Sequence, residues 1–229
     1  MKHIPRLSLF LSVLLVLSHL HCSAHEDQPW AEQLYFFGES TTVHLRSRGM
    51  ISAEHVWAND SGTAMLSDKL TSLPLRIGHD LLTPSDAAER LQPRVLVLSF
   101  GLNGILYFSD HPEVYLKEYR HLIQALSEAS PSTHFLIQTV YPVARRELQK
   151  DWHFSVDSAE INRRIRLINQ QLPFLCEEDG RISLIDTAAC LCDAQGYLKD
   201  EFTTDGIHLN EAAYQAILGC FSRYFAAFS

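Results

Sequence analysis

Three short segments of this chain carry the side chains that acyl transfer needs. The first is Phe37-Gly38-Glu39-Ser40-Thr41-Thr42. A serine on a glycine-containing turn between a strand and a helix can point its oxygen outward while its backbone N–H stays free at the helix start. The second, Phe100-Gly101-Leu102-Asn103-Gly104, follows a Val/Leu run. There an Asn amide can donate to a developing oxyanion, and glycine allows close approach to the backbone. The third is Thr204-Asp205-Gly206-Ile207-His208-Leu209. Two residues separate Asp205 from His208, so one turn of chain can fold the carboxylate onto the imidazole, fix its tautomer and stabilise the imidazolium. Each segment also has an ordinary explanation: Ser40 as a helix N-cap, Asn103-Gly104 as a turn, and Asp205 and His208 as a capping acid and a surface imidazole.

The elements around these segments explain how they could meet. Gln33–Phe37, His55–Ala58, Arg94–Phe100, His134–Val140 and Arg181–Asp186 read as strands, and the near-continuous apolar run Arg94–Phe100 suits one buried on both faces. A helix should open at Thr83, with Thr83 as N-cap, Pro84 in the first helical position and Asp86 favouring the dipole. Apolar residues at three- and four-residue spacing predict helices over 109–130 and 158–172, and a terminal helix over 210–225. Strands alternating with helices imply a three-layer α/β/α sandwich around a mostly parallel sheet, where sites form beyond the carboxyl ends of strands.

Taken together, the segments resemble the blocks of the SGNH (GDSL-type) serine hydrolase family, a flavodoxin-like α/β fold. Gly38-Glu39-Ser40 is similar to the first block, which carries the nucleophile. Asn59-Asp60-Ser61-Gly62-Thr63 resembles the second, whose glycine N–H helps form the oxyanion hole, and so points to Gly62. Gly101-Leu102-Asn103 resembles the third, whose Asn supplies another donor, and Asp205-Gly206-Ile207-His208-Leu209 the fifth. The resemblance runs through nearly all of the chain after its first segment. It implies a Ser40–His208–Asp205 triad and an oxyanion hole built from Ser40, Gly62 and Asn103, acting on a small-molecule, lipid or glycan ester without metal or organic cofactor. Two positions depart from the pattern: Glu39 stands where the family has Asp, and Gly104 where it has a second acid.

Composition limits the alternatives. The 229 residues are 46% hydrophobic, as in globular proteins, and carry 19 Lys+Arg against 27 Asp+Glu. An acidic chain with no basic cluster is poorly suited to nucleic acid. Lys2 and Arg6 precede the apolar run from Leu7 to Leu20, and Cys22-Ser23-Ala24 follows. This reads as a secretory signal peptide over residues 1–24, leaving 25–229 as one exported domain; an uncleaved membrane anchor is the alternative. Outside the cytoplasm, Cys176, Cys190, Cys192 and Cys220 can form disulfides, remain buried thiols or, least in keeping with their spacing, bind metal.

Other features fit less chemistry. His44, His55, His79, His111 and His121 show no ligand spacing and read as structural or surface histidines. Tyr107-Phe108 suits an acyl pocket or core packing equally well. Arg145–Phe154 reads as a solvated connection or a loop that shapes substrate access. A competing function on the same fold is a non-catalytic module holding an anion or glycan at the Ser40-Thr41-Thr42 helix start. The Asp-oriented histidine argues for the enzyme, because anion binding does not need it.

Overall fold

Successive residues of the long strands point to opposite sides of the sheet, and both sides are buried. Phe37, Leu96, Leu98, Phe135 and Ile137 join one apolar cluster; Leu34, Phe36, Val97, Leu136 and Ile185 join the other. A two-residue period buried on both faces requires a covering layer on each side, which is why the strand runs are so uniformly apolar.

The computed structural model describes residues 33–152 and 154–226. In chain order the elements are β1 (Leu34–Gly38), α1 (Ser40–Ser47), β2 (Val56–Trp57), β3 (Leu75–Ile77), β4 (Asp80–Leu82), α2 (Pro84–Leu91), β5 (Val95–Ser99), α3 (Ile105–Asp110) and α4 (Pro112–Ala129). Then come β6 (His134–Gln138), α5 (Leu148–Trp152), α6 (Ser158–Asn169), α7 (Leu172–Glu178), β7 (Ile182–Ile185), α8 (Ala188–Leu191) and α9 (Glu211–Ala226). The central sheet has the order β2-β1-β5-β6-β7, and every pairing in it is parallel. Helices α2, α4, α6 and α7 contribute to one apolar cluster, and α1, α8 and α9 to the other. The α/β/α architecture expected from the sequence is therefore present. The expected leader over 1–24 lies outside the described residues, and among those described no helix is long and apolar enough to cross a membrane.

Several boundaries differ from expectation for identifiable reasons. The helix expected over 109–130 is two helices. Pro112 disfavours helical geometry at His111, which sits at φ −133°, ψ 62°, so α3 ends at Asp110 and α4 begins at Pro112. The helix expected over 158–172 stops at Asn169, and α7 starts afresh at Leu172 with Pro173 in its first turn. A small antiparallel hairpin, β3–β4, adds to the expected strands; Gly78 turns it at φ +57°. Thr83 caps α2 as expected, accepting a hydrogen bond from the Asp86 N–H at 3.2 Å.

After β6 the chain runs without regular structure over residues 139–147, yet the backbone groups of Val140 and Val143 find side-chain partners. Asn169 accepts from Val140 N–H at 2.8 Å and donates to Val140 C=O at 3.0 Å. Asn162 does the same for Val143, at 2.9 and 2.8 Å. The two amides on α6 thus replace a missing strand partner. Cys190 on α8 is disulfide-bonded to Cys220 on α9, while Cys176 and Cys192 are free, partly buried thiols.

Candidate active site

The sheet order reverses direction between β1 and β5, the place where open α/β sheets form their sites. Ser40 follows β1 and Asn103 follows β5. Gly38 closes β1 so tightly that a Cβ there would lie 2.3 Å from Thr42 Oγ1 and 2.5 Å from Ser99 O. Glu39 then occupies the N-cap position, with φ −85° and ψ −155°, and its C=O accepts from Thr42 and Val43 N–H. Ser40 is therefore the first residue of α1 rather than its cap, which removes the ordinary explanation for its hydroxyl. Its N–H belongs to the first turn and has no intrahelical acceptor.

The second block packs directly on this serine. Gly62, at φ +67°, lies so close that a Cβ would approach Ser40 Cα and Cβ at 2.8 Å. Asp60 anchors the turn between Arg46 of α1 at 2.9 Å and Arg76 of β3 at 2.7 Å. The hydrogen bond from Arg76 is the main reason its carboxyl stays below the usual carboxylate range.

In the third block Gly101 and Gly104 have φ of +138° and +84°, and Asn103 lies between them. Both N–H groups of the Asn103 amide are taken up, by Gly62 O at 3.1 Å and Ala64 O at 2.9 Å. The Gly62 N–H donates to Asn59 O at 3.0 Å. The two groups expected as oxyanion donors, the Asn103 amide and the Gly62 N–H, are thus hydrogen-bonded to backbone carbonyls here. In this state Asn103 ties the second block to the third.

The Asp205–His208 pair forms as its spacing predicts. Asp205 Oδ2 lies 2.8 Å from His208 Nδ1, and Oδ1 accepts from the N–H groups of Ile207 at 2.9 Å and His208 at 2.7 Å. Burial pulls the Asp205 carboxyl upward, but these hydrogen bonds outweigh it and hold it below its ordinary value. Ionised Asp205 keeps the ring proton on Nδ1 and leaves Nε2 as the basic nitrogen. Gly206, at φ +91°, accepts from Ala144 N–H at 2.8 Å, so the dyad loop hangs on the 139–147 segment.

Two aromatic contacts locate His208 relative to Ser40. His44, one turn beyond Ser40 on α1, meets the His208 ring edge-on at 5.1 Å between centroids. Trp152 of α5 also packs on the His208 ring, at 5.0 Å between centroids, and donates to Asp205 C=O at 3.3 Å. Through His44 the His208 ring thus touches the helix that Ser40 begins, and among the described residues no hydrogen bond joins Ser40 and His208 directly. The segment 145–154, read as either a solvated connection or an access loop, holds α5 and reaches the dyad through Trp152. In sequence His44 reads as one of several scattered histidines, and its i+4 spacing from Ser40 is the signal that sets it apart. Burial, with the neighbouring His208 charge, lowers its imidazole pKa, and its Nδ1 is buried without a partner.

The GDSL-like lipase/acylhydrolase family matches residues 36–216, which spans every block just described. The chain belongs to that family. Solved structures agree in fold. One from Streptococcus pneumonia, provisionally described as a platelet activating factor, is 21% identical over 93% of this chain and 89% of its own, with a TM-score of 0.63. A carbohydrate esterase family 3 protein from Talaromyces cellulolyticus is 13% identical, covering 85% and 96%, with a TM-score of 0.56. A GDSL-like lipase from Bacteroides thetaiotaomicron is 13% identical, covering 88% and 91%, with a TM-score of 0.54. No curated protein matches the sequence.

Proposed function

We propose that this GDSL-family protein is an exported serine esterase in which Ser40 is the nucleophile, His208 the general base and Asp205 its orienting carboxylate. The observation that carries the reading is the 2.8 Å Asp205 Oδ2–His208 Nδ1 contact, on the rim where α1 presents Ser40. His208 Nε2 takes the proton from Ser40 Oγ as that oxygen attacks the ester carbonyl. The Ser40 N–H, which has no intrahelical acceptor, is the first oxyanion donor. Gly62 N–H and the Asn103 amide join it by exchanging their present carbonyl partners for the oxyanion. Collapse of the tetrahedral intermediate releases the alcohol with the proton from His208 and leaves an acyl-Ser40 ester, which water hydrolyses by the same steps.

The substrate class is a carboxylic ester of a carbohydrate, lipid or small molecule. The carbohydrate esterase among the structural neighbours makes acetylated sugars the first to assay. Export rests on the basic and apolar character of residues 1–24. The deciding experiment is fluorophosphonate labelling followed by mass spectrometry of the modified peptide. An adduct on Ser40, lost in Ser40→Ala together with ester hydrolysis, is expected. A folded chain that takes no adduct and hydrolyses no ester rejects the reading.

A further inference from the structure

Glu39 is 4% exposed and is the acid immediately before the proposed nucleophile. Its Oε1 accepts from Gly101 N–H at 2.8 Å and its Oε2 from Asn103 N–H at 3.0 Å, and Leu102 N–H also bonds to the carboxyl. Three successive backbone donors thus converge on one side chain. The loop that offers them depends on glycine, because a Cβ at Gly101 would lie 2.6 Å from Val140 Cγ2 and 3.0 Å from Tyr115 Oη. Beyond the loop, the Asn103 amide holds the carbonyls of Gly62 and Ala64, and Gly62 rests on Ser40. The contacts close a ring: Ser40, Glu39, the 101–103 backbone, the Asn103 side chain, Gly62, and Ser40 again.

We infer that Glu39 is a positioning residue: its carboxyl gathers the 101–103 backbone and, through Asn103, sets Gly62 against Ser40. The inference rests on the reading of Ser40 as nucleophile for its catalytic consequence, though the positioning itself is a property of the fold. The family's shorter acid would stop about one carbon–carbon bond short of this loop if the backbone kept its place. The longer side chain at position 39 therefore matches a loop set back by that distance. The titratable groups facing Glu39 are Tyr115 and Tyr119 of α4 and Tyr141 after β6, whose hydroxyls burial keeps protonated. Burial also raises the Glu39 carboxyl, to about 8, against the opposing pull of its backbone donors. Its ionisation is therefore readable in solution, and the anion is the better acceptor for all three N–H groups.

The test has two arms. In the first, backbone amide signals of Gly101, Asn103 and Gly62 are followed by NMR across about pH 6 to 10 in wild type and Glu39→Gln. Wild-type signals should titrate together with a midpoint near 8, and Glu39→Gln should abolish that transition and shift all three resonances. In the second arm, kcat and KM for a nitrophenyl acetate are measured over the same range. Glu39→Gln should lower kcat about 10²-fold, as loss of one oxyanion donor does, leave KM within about threefold and remove the ionisation near 8 from the kcat profile. Resonances of Gly101 and Asn103 that stay unmoved in a folded Glu39→Gln chain overturn the inference, whatever the wild-type titration shows. So does a folded Glu39→Gln chain with wild-type kcat, or with Gly62 unmoved. If wild type hydrolyses no ester and takes no Ser40 adduct, the esterase reading fails, and the amide shifts of Glu39→Gln alone decide the role of Glu39.

Discussion

His44 and His208, 164 positions apart in sequence, meet ring edge to ring face with centroids 5.1 Å apart. Because His44 lies one turn beyond Ser40 on α1, this contact ties the proposed base to the helix that begins with the proposed nucleophile. Among the described residues no hydrogen bond joins Ser40 directly to His208. Such slack is common before substrate arrives, since catalytic hydrogen bonds often tighten only in the reacting complex.

The largest kinetic effect is expected at the nucleophile. Ser40→Ala should reduce turnover of a short-chain nitrophenyl ester by about 10⁴ to 10⁶, whereas Asn103→Ala should lose about 10² to 10³. Steady-state kinetics on both purified variants check the order. Equal losses would mean that Asn103 matters through the second-block turn it holds as much as through any oxyanion.

Gly62→Ala should impair the site without touching the triad. The substitution forces an alanine into φ +67°, which costs roughly 1–2 kcal/mol, and pushes its Cβ into Ser40. A lower melting temperature together with slower fluorophosphonate labelling is expected. Wild-type labelling at lowered stability would show that the turn yields before the serine does.

Stability should respond to alkali in an unusual direction for a carboxylate. The Glu39 pKa is raised from 4.5 in the unfolded chain to about 8, so the folded state holds the extra proton between those values. Unfolding free energy should therefore fall as pH rises through that window, by at most about 1.4 kcal/mol per unit, and level off above it. Glu39→Gln should flatten the slope in denaturant titrations. Asp205 acts oppositely: its depressed pKa gives stabilisation that is present above 3.8 and lost in stronger acid.

The disulfide should stabilise without serving the chemistry. Cys190 and Cys220 are 30 residues apart, and closing such a loop contributes about 3.6 kcal/mol through the unfolded chain. The double variant Cys190→Ser/Cys220→Ser should melt at a lower temperature yet keep its turnover below the new midpoint. A loss of kcat at low temperature would instead tie the α8–α9 link to the site.

Much of this was legible along the chain because it is local. The Asp205–His208 contact spans three positions, and the strand runs around Phe36, Leu96 and Leu136 declare their burial by composition. Where expectation failed, periodicity continued across a break. Ile161, Ile165, Ile168 and Leu172 keep one stripe although the helix stops at Asn169, and only Pro173 marks the restart. Pro112 carried the same message between α3 and α4. Strands of three residues, as in β3 and β4, are too short to show alternation. Tertiary facts were out of reach: nothing near position 152 announces that its indole will lie on His208, and the partners of the Asn103 amide depend on a loop forty residues earlier.

Asn162 of α6 is also linked to the dyad. Asn162 grips Val143, the next residue's N–H holds Gly206, and Gly206 separates Asp205 from the turn into His208. Orientation of the imidazole is thus inherited from a helix on the far layer of the sandwich. A directed-evolution campaign that randomised only the rim would miss position 162, whose amide braces the segment from which Gly206 hangs.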